Sequence, residues 1–206
     1  MDETGPITVE VIERIRDRPA EGLEAFVERC GARLLAFVRY KLGEKLGGKV
    51  EPEDVLQDFF AGLVENADGF LRKVDERGVH RAAFRLLENR VKDLYEHHFK
   101  TQKRDAGREL RERPTGSQTQ GFALEQVAGP TASFSQRIEA QDEYRRLVGI
   151  LDDLEPGARR LFVLKFIEER PNQEIADELG ISLSTVKRDA QDLVAKIHRA
   201  RRRRES

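Results

Sequence analysis

The sequence predicts an all-α protein of two small helical domains joined by a flexible linker, the second ending in a helix-turn-helix. Three observations carry that expectation. Apolar residues recur at steps of three and four through both halves, with neither strand alternation nor an internal repeat. Charged residues make up 36% of the 206 while aromatics reach only 7% and tryptophan is absent, a balance that suits helices with large solvated faces. Between the halves, from Gly107 to about Ser135, the periodicity stops and Gly, Pro, Ser, Thr and Gln accumulate. Such a stretch cannot bury enough apolar area to offset its ordering entropy. The expected boundaries are therefore a front domain over 1–105, a linker over 106–136 and a rear domain over 137–206.

The first pattern is Leu23, Phe26, Val27, Cys30, Leu34, Phe37 and Val38, one apolar stripe with Asp17 and Pro19 as its helix start. Gly43 to Gly48 breaks it, and Glu51-Pro52 opens a second helix. That helix gathers Val55, Leu56, Phe59, Phe60, Leu63 and Val64 on one broad face, with Asp54, Gln57, Asp58 and Glu65 opposite; it should end near Asn66 to Gly69. After the turn-prone Asp75 to Gly78, a third pattern runs from about Arg81 to Arg104 through Phe84, Leu87, Val91, Leu94 and Tyr95. Three or more helices around one core is the simplest arrangement. In the rear half a helix spans Ile138 to Leu154, stops at Glu155-Pro156-Gly157, and resumes through Leu161, Val163, Leu164, Phe166 and Ile167.

Composition excludes several classes of function. No run of about 18 apolar residues occurs, and Met1-Asp2-Glu3 lacks the basic then apolar profile of a signal peptide, so a cytosolic protein without a membrane span is expected. The single Cys30 can build neither an intramolecular disulfide nor a cysteine-based zinc site. The net charge of -1 hides a partition: acidic groups outnumber basic ones through residue 68, and the reverse holds over 69–105 and 186–206. Two basic stretches suggest two contacts with a polyanion, and the acidic front suits a basic protein partner or a solvated surface.

Residues 171 to 197 fit a helix-turn-helix. Asn172 is placed to cap a short helix, Ala176 is small where two helices approach, and Gly180 can take the left-handed turn. Ile175, Leu179, Ile181 and Val186 are expected to fill the seam, and Ser182 to cap the second helix. That helix would present Ser184, Thr185, Lys187, Arg188 and Gln191 outward, its first turns suited to a DNA major groove. An ordinary helical hairpin with a glycine turn is the bland alternative. The tail Arg199 to Arg204 reads as phosphate attraction or as solvated charge. In the front half, Asp54, Gln57 and Asp58 share a helical face. Two carboxylates one turn apart could bind a metal, but with no third ligand nearby an exposed acidic face is the commoner case, and no metal or cofactor is expected. His97 and His98 point about 100 degrees apart, which suits a basic helix end rather than a shared ion. Asn89 to Arg104 mixes Arg90, Lys92, Lys100, Lys103 and Arg104 with Tyr95 and Phe99, the chemistry of single-strand binding, or else a solvated helix with core-facing aromatics.

In this order and spacing the pieces resemble the bacterial extracytoplasmic-function sigma factors of the sigma-70 family. Glu53 to Phe60 is similar to the Asp-Val-x-Gln-Glu-x-Phe signature of the helix that docks on core RNA polymerase, with Asp58 where glutamate is usual. Phe84 to Asp93 is similar to the family's Trp-Leu-x-x-Ile-Ala-x-Asn-x-x-x-Asp run, which reads and helps to open the -10 promoter element. Here the tryptophan is missing and Leu87-Glu88 replaces Ile-Ala, while Asn89 and Asp93 stand in place. The helix-turn-helix resembles the -35-reading domain. The resemblance, over roughly 20–105 and 140–198, implies a sigma factor and not an enzyme. It assigns Asp54, Gln57 and Asp58 to core polymerase, Asn89, Arg90, Lys92 and Tyr95 to -10 DNA, and Ser184, Thr185, Lys187, Arg188 and Gln191 to -35 DNA. It implies core polymerase and promoter DNA as partners, leaves an anti-sigma protein open, and suits a monomer when free. The rivals are a helix-turn-helix regulator that does not act through polymerase and a metal-dependent helical hydrolase using Asp54, Asp58 and the histidines.

Overall fold

Ala32, Leu35 and Ala36 are as deeply buried as the stripe of Leu34 and Phe37 beside them. A helix apolar on more than one side has to be covered on more than one side. The computed structural model, which describes residues 9–43, 46, 48–72, 74, 78–106 and 142–204, shows how this is met. Helix α2 (Pro19–Gly43) is central. Packed on it from the front half are α1 (Val9–Asp17), α3 (Pro52–Glu65) and α5 (Gly78–Ala106), with α4 (Ala67–Leu71) against α1 and α3. From the rear half come α6 (Asp142–Asp153) and a π turn, Val163–Ile167, that continues α7 (Pro156–Phe162). The chain ends in α8 (Asn172–Leu179) and α9 (Leu183–Arg204). No strand occurs among the described residues. Apart from Ala106, the expected linker lies outside them.

Helix α1 precedes the start expected at Asp17 and Pro19, and its Ile15 is fully buried. Only Arg18 separates α1 from α2, so their backbones come very close. A Cβ on Gly22 would stand 2.3 Å from the Ile15 backbone nitrogen, which leaves hydrogen as the sole tolerable side chain. Helix α3 starts as expected at Pro52, whose missing N–H has no helical acceptor in any case, and Glu53 and Asp54 face the positive end of the dipole. It buries Val55, Leu56, Phe59, Phe60 and Leu63, whereas Val64, expected on that face, is exposed. Val64 closes the helix beside its cap Asn66, whose Oδ1 accepts from Gly69 N–H at 3.0 Å and opens α4. In α5, Phe84 meets Phe37 edge to face with centroids 5.1 Å apart.

The two lobes share one continuous apolar cluster, and charged pairs cross the seam. Arg33, only 17% exposed, bonds Glu169 and lies 3.5 Å from Glu143. Arg81 bonds Glu174, and Arg39 lies 3.8 Å from Asp152. The π turn makes this possible. Glu168 N–H reaches back five residues to the Val163 carbonyl at 2.9 Å, and Glu169 then takes a left-handed φ of 55°. That conformation costs a non-glycine residue roughly 1–2 kcal/mol. Its effect is to divide two neighbouring carboxylates: Glu168 goes inward to Arg170 Nε at 2.7 Å, and Glu169 reaches the other lobe.

Candidate nucleic-acid interface

The turn between α8 and α9 forms because Gly180 takes φ 65° and ψ 33°, and its N–H and that of Ile181 both donate to the Ala176 carbonyl. Ile175, Ala176 and Val186 are buried behind it as expected. Two details differ. Asn172 is the first helical residue and not the cap: Pro171, in extended conformation, holds the cap position, its carbonyl accepting from Ile175 N–H at 3.2 Å, and Asn172 Oδ1 is buried without a partner. Ile181 does not fill the seam but is 36% exposed, because the chain leaving the left-handed glycine carries it outward beside Leu183.

Ser182 does cap α9, its Oγ accepting from Thr185 N–H at 3.1 Å and lying 2.8 Å from the hydroxyls of Ser184 and Thr185. Ser184, Lys187, Arg188 and Gln191 are exposed and Thr185 is half-buried. No carboxylate stands in the first turn of α9, so the positive end of its dipole and the two cations act together on an anion. Arg188 spends part of its fork on Asp189, 3.1 Å away. Helix α9 continues through the arginine tail to Arg204.

In the front lobe, Asp54 is exposed and Gln57 half-buried, while Asp58 Oδ2 accepts from Arg90 at 3.2 Å. Two sets that the sequence kept apart, the acidic face of α3 and the basic face of α5, thus meet in one ion pair. Asn89 and Lys92 are exposed. Lys92 lies 3.7 Å from Glu88, which also takes Lys41 at 3.2 Å. Burial would raise the Glu88 carboxyl, but Lys41 and Lys92 hold it below the ordinary range, so it stays charged. Tyr95 is half-buried and donates its hydroxyl to the Lys41 carbonyl, which anchors α5 to α2. Among the described residues, no group of three His, Cys, Asp or Glu is placed to hold a metal ion. No described helix is long and apolar enough to cross a membrane.

The seam residues Arg33, Arg81, Glu143, Glu169 and Glu174 carried no sequence signal of partnership, since partners 93 and 136 positions apart have no shared period. Arg33 alone left a trace. It lies three residues after Cys30 and four before Phe37, a charge on the margin of an apolar stripe. No curated protein matches the chain, and no solved structure does. Residues 144–203 match the family Sigma-70, region 4, so the rear lobe carries a sigma-70 region 4 domain.

Proposed function

We propose that the chain is a sigma factor of the extracytoplasmic-function type, directing core RNA polymerase to promoters and helping to open them. The observation that carries the reading is the capped, exposed first half of α9, placed within the residues that match region 4. Lys187, Arg188 and Gln191 then read base edges of the -35 duplex, while Ser184 and Thr185 sit at the phosphates beside the helix start. The front lobe, residues 1–105, takes core polymerase through Asp54, Gln57 and Asp58 and the melted -10 strand through Asn89, Arg90 and Lys92, with Tyr95 anchoring their helix. The Asp58–Arg90 pair supports a coupling: a basic polymerase surface that engages Asp58 frees Arg90 for a phosphate. The reading entails a cytoplasmic protein, monomeric when free, acting without a cofactor, with residues 106–136 as tether and an anti-sigma protein as a fitting restraint.

Reconstitution with core polymerase on a pool of promoter fragments tests it. Initiation should be promoter-directed, and alanine at whichever of Lys187, Arg188 or Gln191 touches a base edge should cost about 1–3 kcal/mol and relax one -35 position. Lysine at both Asp54 and Asp58 should weaken core binding while leaving duplex binding intact. A regulator acting without polymerase would bind duplex DNA and give no initiation, and that outcome would overturn the reading.

A further inference from the structure

A cavity of about 520 Å³ opens at the seam, between the C-terminal turns of α2, the connection into α3, the end of α6 and the start of α7. Its volume is that of a pocket for a small organic molecule. Leu42 and Leu151, both buried, and Val50 give it apolar walls. Two arginines line it with hydrogen-bonding capacity unspent. Arg159 donates one Nη2 proton to the Leu154 carbonyl at 2.9 Å, which leaves the other Nη protons of its fork for a further acceptor. Arg39 is 3.8 Å from Asp152, beyond hydrogen-bond distance.

We propose that this cavity binds a small molecule with a single carboxylate or phosphate head on an apolar body. Glu51 and Asp152 also line the cavity, yet both are exposed and screened by water, whereas the Arg159 guanidinium is half-buried and acts over its neighbourhood with less screening. The head therefore goes to Arg159, whose planar fork suits both anions, and the body lies on Leu42, Val50 and Leu151. The same two carboxylates disfavour a polyanion. Because the walls come from both lobes, the ligand binds only while they are together, and mass action then holds them together.

The test uses the full chain labelled with nitrogen-15, with 4-phenylbutyrate and phenyl phosphate as separate probes and with no polymerase or DNA present. Its result is thus independent of the proposed function. Saturable shifts are expected at the Arg159 Nε–H resonance and at the Val50 and Leu151 amides. Arg159→Leu should weaken binding by roughly tenfold or more. Should that variant lose its fold, Val50→Trp decides, since it fills the cavity with Arg159 untouched and should abolish binding at unchanged helicity. Binding of both probes fits the shared anionic chemistry, and binding of one alone assigns the head group. No saturable shift with either probe, or equal affinity in a folded variant, overturns the proposal.

Discussion

His80 lies half-buried on α5 with its ring 4.6 Å from that of Phe84 and its Nε2 unpartnered. Burial pushes its pKa down to about 4, with Glu169 opposing the shift and Arg33 adding to it. An unfolded chain takes up this proton near the ordinary 6.5 and the folded one does not until about 4. The stability tied to neutral His80 is therefore complete above the unfolded value and drains away as pH falls through that window, by roughly 3 kcal/mol in all. Glu168 works in the opposite sense, because burial outweighs Arg170 and raises its carboxyl, so folding gains from its protonation. The difference between wild type and His80→Gln separates the two. Urea midpoints measured from pH 7 to pH 4 should fall more steeply in the wild type, and parallel curves would contradict the assignment.

At the scale of elements, the approach of α1 to α2 depends on one missing methyl. Gly22→Ala would drive Cβ into the backbone of Arg14 and Ile15, none of which can turn aside as a side chain could. A loss of about 1–3 kcal/mol is expected from thermal unfolding, against a helix-propensity gain below about 1 kcal/mol from the same change. A net gain in stability would show that α1 does not pack there. Helices with one strong face or a sharp boundary were legible in the sequence: Pro52 at the start of α3, Gly180 between α8 and α9, Ser182 at the head of α9. Helix α1 was passed over although Val11 and Ile12 stand at helical spacing from Ile15 in the sequence, and among its described side chains Ile15 is buried while Glu13, Arg14, Arg16 and Asp17 around it are exposed. The double-sided burial of α2 was also missed, since Ala32 and Ala36 look neutral in a hydrophobic pattern and matter only through how closely a neighbour can approach. Val64 misled for a related reason, as periodicity places it on the apolar face while the helix ends there. Of the candidate interface, the outward residues of α9 were readable from spacing alone. The Asp58–Arg90 pair was not, because it joins two helices whose relative placement no local pattern encodes.

For the molecule as a whole, the seam sets what the two lobes can do at once. On the proposed function, the -10 and -35 elements lie about 25 base pairs apart, or roughly 85 Å at 3.4 Å each. A compact chain of this length has a radius of gyration of about 17 Å. The lobes must then separate to engage both elements, and the pairs across the seam oppose it. Reversing one partner, Arg81→Glu, places like charges at a part-buried contact with Glu174 and should raise the radius of gyration measured by X-ray scattering. Adding Glu174→Arg should restore it, and a radius insensitive to either change would remove this contact from the account. Cys30 sits inside this same arrangement: buried on α2, with the charges of Arg33, Glu169 and Glu143 acting on it, and its thiol pushed up to about 12, chiefly by burial. A thiol so held is almost wholly protonated at neutral pH and a poor nucleophile. As the sole cysteine it is a built-in chemical clock, since alkylation by iodoacetamide should proceed only as fast as the lobes part, and its rate should climb in Arg81→Glu and with added salt.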